Sequence, residues 1–249
     1  MMTKILKSFL GALLPPYGGG LGRGFLPPYG GGLGWGLLFI IASCTNTAYD
    51  TGDSRYSYLR TDFVEAQTNS SGQLVSAVTD ENTSLTFTKP LSVGWTAKGD
   101  STYRAMLYYN LNADASDSSI VEPLTAQYVY TLTPAVMTEP TAIPTDPVHF
   151  VSAWKSSNGA YLNFCIGVMT GKADSLDAKQ TIGLILDSAV EKSGHTAYYL
   201  KFSHSQGNVP EYYTTNIYLS IPTKKMTTGS TVRLSLNTYK GWIYREFTW

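Results

Sequence analysis

The sequence is short of charge and of cysteine. Charged side chains make up 14% of 249 residues, and 18 basic groups balance 18 acidic ones. A nucleic-acid surface needs a basic excess, so no nucleic-acid partner is expected. Two cysteines, Cys44 and Cys165, cannot build a disulfide framework. The longest apolar stretch, near 33–43, falls far short of the roughly 20 residues of a membrane-spanning helix. No segment keeps a 3.6-residue apolar period beyond two turns. Also missing are a G-x-S-x-G elbow, a P-loop, a dinucleotide fingerprint, an HExxH pair and a CxxC pair. His149, His195 and His204 lack the spacing of zinc ligands and read as surface or partly packed imidazoles. No metal or other cofactor is expected.

What is present begins with an unusual leader. Lys4 and Lys7 form a short cationic start, followed by the largely apolar Phe9–Leu14. A 12-residue unit, Pro-Pro-Tyr-Gly-Gly-Gly-Leu-Gly and its continuation, then begins at Pro15 and repeats at Pro27; its first ten residues recur with one change, Arg23 to Trp35. Removing 15–38 joins Leu14 to Phe39-Ile40-Ile41-Ala42-Ser43-Cys44, which leaves a compact signal peptide. Ile41-Ala42-Ser43-Cys44 resembles the lipobox of bacterial lipoproteins, whose Cys is acylated and becomes the mature N-terminus. Residues 1–43 are therefore read as a signal peptide carrying an inserted repeat (15–38). Cys44 is read as the lipid attachment site, and 44–54 as a tether. The expected location is the cell envelope, anchored to the membrane on the periplasmic face or the cell surface. Cys165 would then have no intrachain partner, and its alternating apolar surroundings mark it as buried and inert.

The remainder reads as all β. Leu162, Phe164, Ile166 and Val168 alternate with other residues, as do Val232, Leu234 and Leu236. Such runs recur near 56–67, 73–79, 84–88, 91–96, 102–112, 120–132, 147–155, 160–170, 180–187, 196–204, 214–221 and 231–239. Four prolines within 134–147 suggest a semi-rigid linker. That divides the chain into a β domain over 55–133 and a second over 148–249.

The order of several short motifs resembles the NigD-like lipoproteins of Gram-negative anaerobes. They are Arg55–Ala66, Thr79-Asp80-Glu81 before Leu85, Tyr103–Asn110, Asp146-Pro147-Val148 leading to Ser152-Ala153-Trp154, and Tyr161-Leu162-Asn163-Phe164. The resemblance covers Cys44 to the end and omits the repeat. It implies an OB-like N-terminal barrel followed by a C-terminal β-sandwich. It also implies a link to bacteriocin immunity, with no catalytic residues.

Chemistry-bearing residues are sparse. Asp80-Glu81 reads as a solvated turn, and Asn112, Asp114 and Ser116 lack the Gly and the closing Glu of a calcium loop. Arg104 either pairs with a buried acid or lines the barrel. Aromatics offer the better indication of binding. In a strand, adjacent pairs such as Tyr108-Tyr109, Tyr198-Tyr199 and Tyr212-Tyr213 must point one ring away from their own core. Tyr212, Tyr213, Trp242 and Tyr244 are the candidate binding residues, because an outward aromatic supplies a large amphipathic contact. The expected function is a non-catalytic binding or interaction module with a protein or glycan partner. A glycan-acting hydrolase with carboxylates from distant strands, or a purely structural envelope protein, are the alternatives.

Overall fold

The computed structural model describes residues 4–5, 59–111, 117–137, 142–173, 178–224 and 226–249. Cys44, the repeat and the tether lie outside the described residues. Among those described there are strands, turns and loops but no helix. Strand β1 (Lys4–Ile5) is two residues long. Next come β2 (Leu59–Thr68), β3 (Leu74–Thr79), β4 (Ser84–Leu91), β5 (Thr102–Leu111) and β6 (Ile120–Tyr128). These five close a barrel in the order β2-β3-β4-β6-β5, with β5 returning to β2. This is the OB-like barrel the motifs implied. Alternation along the strands sends Val64, Ala66, Leu74, Leu85, Phe87, Ala105, Leu107 and Val121 into its core.

The second half contains β7 (Tyr130–Thr131), β8 (Ala135–Val136), β9 (His149–Lys155), β10 (Tyr161–Thr170), β11 (Thr181–Lys192), β12 (His195–Ser205), β13 (Tyr213–Pro222), β14 (Thr231–Thr238) and β15 (Gly241–Thr248). One sheet runs β7-β13-β10-β9. The other runs β1-β11-β12-β14-β15, with β8 also paired to β11. Their inner faces enclose one core in which Leu162, Phe164, Ile166 and Val168 meet Ile182, Leu184, Leu200, Phe202, Val232, Leu234 and Leu236. Phe164 and Phe202 meet edge to face, with centroids 5.8 Å apart. The result is a β-sandwich.

Two strand expectations needed correction. Residues 92–96 form a loop after β4, because the Trp95 indole donates to the Ala126 carbonyl (3.0 Å) and packs sideways instead of joining a ladder. The terminal strand β15 was not anticipated. Both of its faces carry large apolar groups, which hides the two-residue alternation.

The proline-rich segment is held against the sandwich through carbonyls, which proline retains although it has no N–H to donate. Pro144 O accepts from His204 N (3.0 Å) and Ser203 Oγ (2.9 Å). Thr145 O accepts from Asn237 Nδ2 (2.7 Å), and Val148 N donates to Asn237 O (3.1 Å). The parallel β12–β14 ladder runs only to Lys201 and Ser235, and residues 145–148 continue between the two strands beyond that point. His204 lies there and is 1% exposed, which corrects the expectation of a surface or partly packed imidazole. Its Nδ1 lies 3.1 Å from Asp146 O. Burial lowers the His204 pKa from 6.5, against the opposing pull of Asp146 and Glu211.

The barrel packs on the outer face of the β9-β10-β13 sheet, so β10 is buried on both sides. Phe63 meets Trp154 (5.3 Å) and Tyr218 (5.6 Å) edge to face. Between the two halves lies Arg104, 5% exposed. Its Nη2 donates to Asp80 Oδ2 (2.7 Å) and Asn163 Oδ1 (3.2 Å), and its Nε to Ser220 Oγ (3.2 Å). Asn163 Nδ2 also donates to Asp80 Oδ2 (3.0 Å), and Ser220 Oγ to Asn163 Oδ1 (2.7 Å). The guanidinium stacks over the Tyr161 ring at 4.0 Å. Asp80 is therefore the partly buried counter-ion of the buried Arg104, contrary to the expectation of a solvated turn acid. The choice left open for Arg104 resolves to pairing with a buried acid. Cys165 is buried as expected, and burial raises its thiol pKa.

Arg104→Met should cost about 3–5 kcal/mol in urea unfolding, because it strands the Asp80 charge. Adding Asp80→Asn to that variant should recover part of the loss. His204 should make stability pH-dependent. Its folded pKa lies below its unfolded value, so the unfolded chain binds the extra proton and stability falls as pH drops below 6.5. Unfolding midpoints collected from pH 7.5 to 5 should show this slope in the wild type and a flatter one in His204→Asn.

Candidate functional site

The expected aromatics lie on both sheets of the sandwich, and all four are exposed. Tyr212 (75% exposed) precedes β13 and Tyr213 (42%) begins it, on the four-stranded sheet. The β10–β13 ladder begins at Tyr213, but burial along β13 starts only at Ile217, so both remain outside. Trp242 (53%) and Tyr244 (55%) lie two residues apart on β15, and so on one face of the other sheet. Glu211, beside Tyr212, accepts from the Tyr239 hydroxyl (3.2 Å), and Tyr239 stacks on His149 at 4.6 Å. That contact links the start of β13 to the β14–β15 turn.

Register explains what surrounds Trp242 and Tyr244. In the ladder, Tyr244 faces Ser235, which in turn faces Lys201 on β12; Arg233 sits between Tyr199 and Glu246. Since Val232, Leu234 and Leu236 point inward, Arg233 and Ser235 point out. The Arg233 guanidinium lies 3.7 Å from the Tyr244 ring centre, and Lys201 Nζ lies 5.6 Å from that of Trp242. The outer face of this sheet thus presents two aromatic rings, each held by a cation, around the small Ser235. Short side chains between large amphipathic ones form a shallow relief suited to contact with a partner. Arg233 and Lys201 were not singled out from sequence. Their role depends on cross-strand register, and their only local signal was alternation with the apolar residues.

A second concave region lies where the barrel meets the sandwich. This cleft of about 440 Å³ is bordered by Glu65, Val78, Thr79, Asp80 and Asn82 of the barrel and by Asn158, Gly159, Ala160, Thr223, Lys224, Met226 and Trp249. Its walls are tied together. Asn158 N donates to Asp80 O (2.9 Å), Trp249 Nε1 donates to Gly159 O (2.8 Å), and Thr223 Oγ1 donates to the same carbonyl (2.6 Å). Glu65 Oε1 accepts from the Tyr161 hydroxyl (2.6 Å) and from Lys224 Nζ (3.2 Å). Burial raises the Glu65 pKa, but the bonds from Tyr161 and Lys224, with the charges of Lys224 and Arg104, outweigh it and leave the carboxyl below its ordinary value. Burial and the bond to Glu65 raise the Tyr161 hydroxyl.

Glu65 and Asp80 are the acids that the hydrolase alternative would use here. A glycosidase general acid needs a raised pKa to hold its proton, whereas Glu65 is lowered and Asp80 is committed to Arg104. Glu65 is thus poorly suited to hold the proton of a general acid, and Asp80 is engaged by Arg104. Among the described residues, no group of three or more His, Cys, Asp or Glu gathers to hold a metal ion.

Residues 129–248 match the family model described as the NigD-like C-terminal beta sandwich domain. No curated protein matches the chain. Among solved structures, the chain is similar to a NigD-like immunity protein from Bacteroides caccae, with a TM-score of 0.60 and 22% identity over 76% of this chain and 96% of that one. It is also similar to a protein described as toxin related from Parabacteroides distasonis (TM-score 0.57, 16% identity, covering 77% and 93%). A third, described as a lipoprotein, comes from Bacteroides fragilis (TM-score 0.52, 14% identity, covering 76% and 96%). At these identities the structural likeness shows the fold, and it extends over barrel and sandwich together. These relatives are described as immunity, toxin-related or lipoprotein members and not as enzymes. Residues 129–248 thus form a NigD-like C-terminal β-sandwich domain.

Proposed function

We propose that this protein is a lipid-anchored envelope protein that binds a protein partner without catalysing a reaction. The observation that carries the reading is the exposed pair Trp242 and Tyr244 on β15, each held by a cation from a neighbouring strand. Holding these rings in place lowers the side-chain entropy lost on binding. Aromatic and Arg side chains are also the types most often found at the energetic centre of a protein interface. The partner surface is the outer face of the six-stranded sheet; Tyr212 and Tyr213 are exposed on the four-stranded sheet and lie outside it.

The lipobox supports an anchor at Cys44, and the description of the Bacteroides fragilis relative as a lipoprotein supports the same location. Among the described residues no helix is long and apolar enough to cross a membrane. A lipid-modified Cys carrying more than one acyl chain would hold the protein firmly, at about 0.8 kcal/mol per buried CH₂. The description of the Bacteroides caccae relative as an immunity protein favours a protein toxin as the partner.

Two measurements test this. The mass of the mature N-terminus in the native membrane fraction should show an acylated Cys44, and Cys44→Ala should abolish it; an unprocessed Met1 would remove the anchor from the reading. Cross-linking in intact envelopes should capture a protein partner with the wild type. A Trp242→Ala/Tyr244→Ala variant at equal abundance should lose it, with affinity falling by about 2 kcal/mol or more. An identical partner profile for both proteins would refute the sheet face as the binding surface.

A further inference from the structure

We infer that the cleft between the barrel and the sandwich is a separate binding site for a sugar, free or at the end of a glycan. Its volume of about 440 Å³ falls within the range of small-molecule sites, roughly 300–1,000 Å³. Nothing in the partner-binding role of the β15 face requires such a cavity. The inference does not rest on that role.

The charges around the cleft compensate each other in pairs, Glu65 with Lys224 and Asp80 with Arg104. Among the described lining residues a ligand carrying net charge finds no uncompensated counter-ion, so the ligand that fits them is neutral. The polar groups are nevertheless mixed. Glu65 takes both of its bonds at Oε1, leaving Oε2 as an acceptor among the described residues. Thr79 Oγ1 accepts from Glu81 N and Thr83 N, which leaves its hydroxyl proton to donate. Asn82 accepts through Oδ1 from Asn158, which leaves its amide N–H groups, and Lys224 keeps two further N–H donors. Donors and acceptors thus alternate around a small cavity whose remaining lining includes the apolar Val78, Met226 and Trp249. A ring with hydroxyls on its edge and C–H groups on its face meets both demands, and a sugar is the common ligand of that shape.

The site is also held ready. The 156–161 turn is stapled by Ser156 Oγ to Asn158 Oδ1 (2.8 Å) and by Ala160 N to the same oxygen (3.0 Å). Asn158 N in turn fixes this turn to Asp80 O of the barrel. Asn82 adopts φ 63°, a conformation that projects its side chain from a tight turn and that Asn tolerates better than most residues. Walls drawn from both halves of the molecule, and locked to each other, lose little entropy when a ligand enters.

The test is a calorimetric titration of the full chain in detergent with glucose, galactose and N-acetylglucosamine, with putrescine and inorganic phosphate as charged probes. At least one sugar should bind saturably while both charged probes fail. Asn82→Gly, which preserves the backbone conformation, and Lys224→Met should each weaken sugar binding about tenfold, the loss of roughly one hydrogen bond. Circular dichroism melts should show both variants folded. Trp242→Ala should leave sugar binding unchanged, which separates this site from the partner face. Absence of binding by all three sugars, binding of a charged probe in their place, or full affinity in both cleft variants would each overturn the inference.

Discussion

A guanidinium buried between two β domains is costly unless its charge is paired, and pairing Arg104 through Nε and Nη2 organises the join between barrel and sandwich. Arg104 lies on β5 of the barrel, yet two of its acceptors, Asn163 and Ser220, belong to β10 and β13 of the sandwich. Its counter-ion Asp80 lies at the end of a barrel hairpin and also accepts from Asn163. The three hydrogen-bonded partners and the stacked Tyr161 ring can be satisfied together only with the domains in one relative placement. A purely apolar contact such as that of Phe63 with Trp154 and Tyr218 tolerates sliding. A directional polar network does not.

The same join produces the cleft. With the barrel docked on β10 and β13, the β9–β10 turn, the β3–β4 turn and the last residue, Trp249, converge around one cavity. Glu65 reaches from the barrel to Tyr161 and Lys224 of the sandwich, so a second polar bridge flanks the cleft beside the Arg104 network. The proposed partner face on the outer side of the other sheet is separated from this join by the sandwich core. A protein of this build has two independent surfaces, one flat and aromatic, the other concave and polar.

Much of the architecture was legible in sequence because a strand's side-chain period of two is a local property. Val232, Leu234 and Leu236 announce their inward face within five residues, and Leu162, Phe164, Ile166 and Val168 within seven. The same logic failed for β15. Edge strands bury one face incompletely, and Trp242 and Tyr244 on the solvent side erased the contrast that marks a strand. It failed for 92–96 because Trp95 packs through its indole against the barrel, a tertiary contact with Ala126 that alternation does not encode. The exposed aromatics were legible as candidates, since adjacent Tyr residues in a strand cannot both point inward. Their cationic neighbours were not.

The sequence by itself determined the β class, the position of most strands along the chain, the buried Cys165 and the candidate aromatics that prove to be exposed. Each of these follows from composition or from patterns a few residues long. Tertiary structure alone decided that Asp80 is the counter-ion of a buried arginine, that His204 is sealed beneath the proline-rich segment, and that Glu65, Asn82 and Lys224 share a cleft. The reason is separation along the chain. Arg104 meets Ser220 across 116 residues, Lys224 meets Glu65 across 159, and His204 meets Asp146 across 58. Local patterning says which way a side chain points, whereas its partner is chosen by how two closed β structures dock.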